Sequence, residues 1–109
     1  MATRLEVLGQ LEQMIAARMA DFAAGRLSAE DSRVIKALAG PPEELLRKLP
    51  EEAVEVVLAV THRGNLTAEA ADLLFFLLLI LHQQQVPFDD VLDELARRMP
   101  AAKSAASDK

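Results

Sequence analysis

The sequence predicts an all-α domain, and three observations lead to that fold class. Apolar residues recur every three or four positions along most of the chain, which is the period of an amphipathic helix. No stretch keeps the two-residue alternation of a strand beside that pattern. Glycine and proline residues separate the periodic stretches from one another. The length of 109 residues allows one domain, which we place over residues 1–99, with a flexible tail over 100–109.

The first two helices are predicted over residues 3–24 and 29–39. The apolar stripe of the first helix consists of Leu5, Leu8, Leu11, Ile15, Met19 and Phe22. Ser28 and Asp31 have the spacing of a capping box and open the second helix. Gly40-Pro41-Pro42 ends it, and prolines are tolerated in the first turn of the helix that follows.

The third helix is predicted over residues 43–60, and it contains Pro50. A proline inside a helix removes one backbone hydrogen bond and clashes with the preceding turn. The stretch is therefore predicted to be kinked, or split into 43–49 and 50–61. The turn Arg63-Gly64-Asn65 is short, so the third and fourth helices should be antiparallel neighbours.

The fourth helix is predicted to begin with Thr67 as its N-cap and to end near Gln84. Residues 73–81 are all apolar, so this part of the helix has apolar side chains on every side. Packing of one face against the core would leave the other apolar side chains exposed to water. A chain of this length has few helices to surround such a segment, so we expect a homodimer or a larger homo-oligomer. The last helix is predicted from Phe88 or Asp89 to Met99.

The composition excludes several classes of function. The chain has 12 Lys and Arg against 17 Asp and Glu, a net charge of −5, and four Phe as its only aromatic residues. Binding to nucleic acid needs a basic face or stacking platforms, so it is not expected. The absence of Cys excludes disulfides and zinc–cysteine sites. The longest apolar run is nine residues, about half of a membrane span, and no signal peptide is found. We therefore expect a soluble cytoplasmic protein that does not bind membranes.

Two pairs of acidic residues stand on the predicted third and fourth helices. Glu52 and Glu55 are three positions apart, with Glu51 beside them, and Glu69 and Asp72 have the same spacing. This spacing places each pair on one helix face. Facing pairs would have to bind a proton or a cation, and all-oxygen ligands suit Mg²⁺ or Mn²⁺. The alternative is a solvated face, because first-turn carboxylates also complement the helix dipole.

The order of these acidic residues resembles a known metal-binding signature. Glu51-Glu52-x-x-Glu55 is followed after thirteen residues by Glu69-x-x-Asp72, a pattern similar to that of the all-α nucleoside triphosphate pyrophosphohydrolases, the MazG-like superfamily. Residues 40–98 resemble one branch of it, the phosphoribosyl-ATP pyrophosphohydrolases of histidine biosynthesis. The segments that carry this similarity are LRKLPEEAVEVVLAV and EAADLLFFLLLILHQQQVPFDDVLDELARR.

The resemblance implies a MazG-like helical bundle that is completed by homo-oligomerisation. It also implies Mg²⁺-dependent hydrolysis of phosphoribosyl-ATP to phosphoribosyl-AMP and pyrophosphate. The implied metal ligands are Glu52, Glu55, Glu69 and Asp72. Catalysis is assigned to Glu51 and Glu52, with Glu51 as a further ligand or as the residue that orients the attacking water.

Arg47 and Lys48 are the candidate substrate-binding residues, because they precede the acidic residues by one helical turn. The alternative for both is pairing with the acidic side chains that flank them. Ala39 and Pro50 stand where the family usually has lysine and glycine. Two other functions therefore stay open: a pyrophosphohydrolase for another nucleoside or deoxynucleoside triphosphate, and a non-catalytic helical interaction protein.

Overall fold

The computed structural model of the chain describes residues 3–100, and every regular element in that range is helical. This confirms the predicted all-α class. The predicted tail lies outside the described residues except for Pro100, and the extent of the domain over 1–99 stays a prediction. The five helices are α1 (Val7–Ala23), α2 (Arg33–Ala39), α3 (Pro42–Thr61), α4 (Leu66–Gln83) and α5 (Phe88–Arg98).

The first predicted helix is shorter at its amino end than expected. Arg4–Glu6 forms a single 3-10 turn, in which the Thr3 amide donates to Oε1 of Glu6 at 2.8 Å. Regular α-helix begins only at Val7. At the other end Gly25 has a φ of +79°, a conformation that glycine adopts without strain. The predicted stop after residue 24 is therefore confirmed.

The second predicted helix is interrupted at Ser32. The expected bond between Ser28 and Asp31 is present, with the Ser28 amide donating to Oδ2 of Asp31 at 2.7 Å, but it opens only a 3-10 turn. Ser32 is extended, and its Oγ accepts from the Val34 amide at 3.2 Å, so Ser32 is the N-cap of α2. The same Oγ accepts from Nη1 of Arg18 at 2.9 Å. The prediction of one helix over 29–39 is wrong, because the serine side chain competes with the helical backbone.

The helix α3 is one continuous element of 20 residues, with Pro50 inside it. The predicted split at this proline is therefore wrong. Pro50 is exposed, so water can satisfy the carbonyl group that the missing N–H leaves unpaired. The helix consequently runs without interruption from the cleft described below to the turn before α4.

The turn between α3 and α4 is tight. A Cβ atom on Gly64 would lie 3.1 Å from Cα of Ala59, closer than ordinary contact, so glycine allows the chain to turn there. The N-cap of α4 is Asn65, whose Oδ1 accepts from the Ala68 amide at 3.0 Å, and not Thr67 as predicted. The two helices α3 and α4 then pack against each other more extensively than any other pair of elements.

The core is built by all five helices. Its buried members are Ile15, Val34, Leu45, Leu78, Leu79 and Phe88. The Phe88 amide donates to Glu12 at 2.7 Å, which ties the start of α5 to α1. The single chain does not cover every apolar residue, since Val57 and Val60 of α3 are 59% and 60% exposed. The expected homo-oligomer stays a prediction.

Among the described residues, one helix is long and apolar enough to cross a membrane by length and composition. It is α4, with a mean hydropathy of 1.5 over 18 residues. A core helix of a soluble protein meets the same criterion, and α4 contributes Leu78 and Leu79 to the core. The expectation that the chain does not cross a membrane stays a prediction.

Candidate active site

Three carboxylates meet where α3 and α4 face each other. Glu52 comes from the middle of α3, and Glu69 and Asp72 come from the first two turns of α4. One oxygen of each lies within 4.8 Å of the others. The tight turn between the helices produces this approach, because it brings residues 17 positions apart in sequence side by side. We call these three residues the carboxylate cluster.

The other two predicted acidic residues flank the carboxylate cluster. Glu55 lies one turn further along α3 and is exposed, but its charge still acts on Glu69. The Glu51 side chain is 54% exposed, whereas that of Glu52 is only 14% exposed. The five predicted residues therefore share one region, with oxygens of three of them within 4.8 Å of one another and the other two at its edge.

The environment of Glu69 disfavours its negative charge. Partial burial raises the pKa of Glu69, and the neighbouring charges of Glu55, Asp72 and Glu52 raise that pKa further, in this order. A carboxyl group in such surroundings gains from a proton or from a cation at the cluster.

The carboxylate cluster fits a hard divalent cation. Mg²⁺ holds its ligand oxygens at about 2.1 Å, so that two oxygens on opposite sides of the ion are about 4.2 Å apart. The oxygens of the cluster lie within 4.8 Å of one another. A small rotation of one side chain would bring them to the distance that the ion requires. The donor set consists of carboxylate oxygens alone, which favours Mg²⁺ or Mn²⁺ over softer metals.

Lys48 is the positive charge beside the cluster. Its Nζ lies 3.8 Å from Oε1 of Glu51 and 3.9 Å from Oε2 of Glu52, and 5.6 Å from the centre of the Phe76 ring. The predicted alternative of pairing with acidic neighbours is therefore present for Lys48, in a position that also faces a cleft. Arg47 is exposed and does not line that cleft.

The cleft consists of two adjoining compartments. The acidic compartment, about 350 Å³, is lined by Arg33, Lys48, Glu52, Asp72, Phe75 and Phe76. The basic compartment, about 330 Å³, shares Arg33, Lys48 and the two phenylalanines with it and extends to Lys36, Gly40 and Glu44. Both volumes lie in the range of small-molecule sites.

Sequence reasoning missed Arg33 and Lys36 as residues of the site. Their spacing of three positions on α2, opposite the buried Val34 and Ile35, was the available signal. That signal does not reveal that α2 packs beside α3 and α4, because this proximity depends on the tertiary fold.

Comparison with known proteins identifies the family. The family model for phosphoribosyl-ATP pyrophosphohydrolase matches residues 9–99. The chain belongs to the phosphoribosyl-ATP pyrophosphohydrolase family. The match confirms the resemblance seen in residues 40–98 and extends it through most of α1 and all of α2, which precede that segment.

Individual relatives within the phosphoribosyl-ATP pyrophosphohydrolase family agree. The phosphoribosyl-ATP pyrophosphatase of Rhizorhabdus wittichii is 45% identical over 93 residues, which cover 84% of this chain and 82% of the relative. That of Sinorhizobium medicae is 40% identical over 93 residues, covering 84% and 81%. The histidine biosynthesis bifunctional protein HisIE of Bacillus subtilis is 38% identical over 99 residues; the match covers 89% of this chain but 44% of that longer protein. No solved structure gives a significant match.

Proposed function

We propose that this protein hydrolyses phosphoribosyl-ATP to phosphoribosyl-AMP and pyrophosphate in the cytoplasm, as a step of histidine biosynthesis. The observation that supports this function most directly is the carboxylate cluster. It opens into a cleft that is also lined by the basic side chains of Arg33 and Lys48, and the chain belongs to the phosphoribosyl-ATP pyrophosphohydrolase family. A cluster of acids alone would repel a triphosphate, so a cation has to stand between them.

Glu52, Glu69 and Asp72 are the residues that would hold Mg²⁺ or Mn²⁺, and Glu55 would complete the ligands from one turn away. When bound, such an ion neutralises phosphate charge and lowers the pKa of a coordinated water. Water molecules and substrate phosphate would occupy the remaining coordination positions of the ion, as is usual for Mg²⁺.

The remaining residues of the site act on the substrate and the attacking water. Lys48 carries a positive charge at the junction of the two compartments and would contact a phosphate there. Glu51 is adjacent to Glu52 in sequence, is exposed and pairs with Lys48, and we assign it to orienting the attacking water together with Glu52. Arg47 lies outside the cleft. We therefore assign it a weaker role, in which its positive charge acts on the substrate without direct contact.

We propose a homodimer as the functional form, with the outward face of α3 as the contact between the two copies. Leu46, Val54, Val57 and Val60 are at least half exposed along that helix in the single chain. An apolar surface of this kind is typical of an interaction site. Glu52, the member of the carboxylate cluster on α3, faces α4, so the proposed dimer contact leaves the cluster open to substrate.

The test is a measurement of pyrophosphate release with Mg²⁺. Phosphoribosyl-ATP is compared with ATP, dATP, dCTP, dGTP and dUTP, and Asp72→Asn serves as the inactive control with its fold checked by circular dichroism. We expect turnover of phosphoribosyl-ATP well above that of the other triphosphates. A folded protein that releases no pyrophosphate from phosphoribosyl-ATP contradicts the proposal. Preference for a deoxynucleoside triphosphate would indicate the related activity, and no turnover of any substrate would indicate a non-catalytic interaction protein.

A further inference from the structure

The helix α2 presents two basic side chains on its outer face. Val34 and Ile35 are buried at 3% and 0% exposure, which fixes the opposite side of the helix toward solvent. Arg33 and Lys36 lie on that side, three positions apart, and both are exposed. The bonds of Ser32 to Val34 and Arg18 hold the start of the helix in place. The backbone that carries these two charges is therefore held in place.

Arg33 and Lys36 carry charges that no side chain within residues 3–100 neutralises by an ion pair. Lys48, by contrast, is already shared between Glu51 and Glu52. The only acidic residue that lines the basic compartment is Glu44. In a chain with a net charge of −5, this compartment is a local region of positive charge, which attracts anions.

The cleft has a fixed order of chemical groups along its length. Glu52 and Asp72 line only the acidic compartment, and Lys36 lines only the basic one. Phe75 and Phe76 line both, with ring centres 5.7 Å apart in an edge-to-face arrangement. A ligand that spans the cleft thus meets the metal-binding acids at one end, then the aromatic surface with Arg33 and Lys48 beside it, and Lys36, one helical turn from Arg33 on α2, at the other end.

We infer that Arg33 and Lys36 bind the phosphate of the phosphoribosyl group, at the end of the substrate remote from the bond that is hydrolysed. This inference rests on the proposed function. Phosphoribosyl-ATP carries its triphosphate at one end, a purine in the middle and the phosphoribosyl group on the purine, which is the order of groups in the cleft. An aromatic surface suits a purine ring, and an Arg–Lys pair suits a phosphate. The two cations would then select this substrate against ordinary nucleoside triphosphates, which have no second phosphate-bearing end.

The direct test compares binding of phosphoribosyl-AMP and AMP by calorimetry, because these two ligands differ only in the phosphoribosyl group. The variants are Arg33→Met, Lys36→Met and the double substitution, with Arg47→Met as a control that removes a nearby cation outside the cleft. The unchanged protein should bind phosphoribosyl-AMP about 10- to 100-fold more tightly than AMP, the range expected for charge-assisted hydrogen bonds. The double variant should lose most of that difference and keep its affinity for AMP and for pyrophosphate. Because both residues are exposed, the variants should keep the melting temperature of the parent.

A second readout is kcat/KM for phosphoribosyl-ATP, which should fall about 10- to 100-fold in the double variant, while any slow hydrolysis of ATP stays unchanged. Equal losses for AMP and phosphoribosyl-AMP would overturn the inference, since the cations would then contact the part that both ligands share. Wild-type turnover of phosphoribosyl-ATP with unaffected variants would overturn it while leaving the proposed function intact. A wild-type protein that neither turns over phosphoribosyl-ATP nor distinguishes phosphoribosyl-AMP from AMP would overturn both.

Discussion

Replacing Lys48 with methionine should change three measurable properties in different directions. The methionine keeps most of the side-chain volume and removes the positive charge between the cluster and the cleft. We expect a small loss of stability, a large loss of kcat/KM and a gain in metal affinity. A defect of folding would not produce this combination, because it would weaken all three together.

The distances to Lys48 set the size of each effect. Its ion pairs are long, at 3.8 and 3.9 Å, and the side chain is 46% exposed, so their loss costs at most about 1 kcal/mol, or about 4 °C in Tm for a domain of this size. Loss of a charge-assisted contact to phosphate costs about 1.5–3 kcal/mol, which lowers kcat/KM about 10- to 100-fold.

The effect on metal affinity follows from the position of the lysine charge. A cation bound to Glu52 at about 2.1 Å would lie at most about 6 Å from the lysine nitrogen, given the 3.9 Å separation from Oε2. Repulsion between a divalent ion and one charge at about 6 Å is about 1.4 kcal/mol in water. With screening by salt, removal of the lysine charge should tighten Mg²⁺ binding about 3- to 10-fold.

The assays are calorimetric titration with Mg²⁺ and pyrophosphate release under saturating metal. Arg47→Met is the matched control, because it removes the adjacent cation outside the cleft, and we expect both quantities to change less than about twofold. Weaker Mg²⁺ binding in Lys48→Met, or a loss of kcat/KM in Arg47→Met as large as that in Lys48→Met, would contradict the role given to the Lys48 charge.

Further predictions concern the metal, pH, the core and the dimer. Mg²⁺ at 100 times its Kd should stabilise the fold by about 2.7 kcal/mol, a rise of about 10 °C in Tm, and Asp72→Asn should abolish most of that rise; an unchanged shift in this variant would remove Asp72 from the ligands. Because the folded-state pKa of Glu69 is raised above 4.5, its contribution to stability is present below pH 4.5 and is lost as pH rises through the folded pKa. The metal-free protein should therefore melt higher at pH 5 than at pH 7, whereas Glu69→Gln should show a smaller difference. The lowered pKa of Asp31 acts only below its ordinary value of 3.8 and does not enter this window. Leu79→Ala, at a residue with 0% exposure, should cost about 2–5 kcal/mol and lower Tm by at least about 8 °C in thermal melts. Val57→Glu should leave secondary structure unchanged and shift sedimentation toward the monomer; unaltered sedimentation would exclude this face of α3 as the dimer contact.

The sequence predicts most of the helices because their apolar residues keep one period. It fails at Ser32 and Asn65, where a polar side chain bonds to the backbone two or three residues ahead. Serine, threonine and asparagine are all good N-caps, so local sequence does not decide which of Asn65 and Thr67 begins α4. The long helix through Pro50 is a similar case. The exposure of the proline determines how strongly it disrupts the helix, and that exposure depends on the tertiary fold.

The carboxylate cluster was predictable because spacing along the helices and a short connection determine it. Glu52, Glu69 and Asp72 meet as that geometry requires. Glu51 lies at the edge because neighbouring positions on a helix point in different directions, whereas Glu55 shares the face of Glu52 but lies one turn further along α3. The contribution of α2 was not predictable, since packing against α3 and α4 brings Arg33 into the cleft.

The helix α4 connects the carboxylate cluster with the hydrophobic core. The first turns of α4 carry Glu69 and Asp72, and its later turns carry Leu78 and Leu79, about 10 Å along the same axis. Occupancy of the cluster should therefore slow amide hydrogen exchange in the buried half of α4. A methyl resonance of Leu79 would then serve as a reporter of ligand arrival that needs no contact with the ligand.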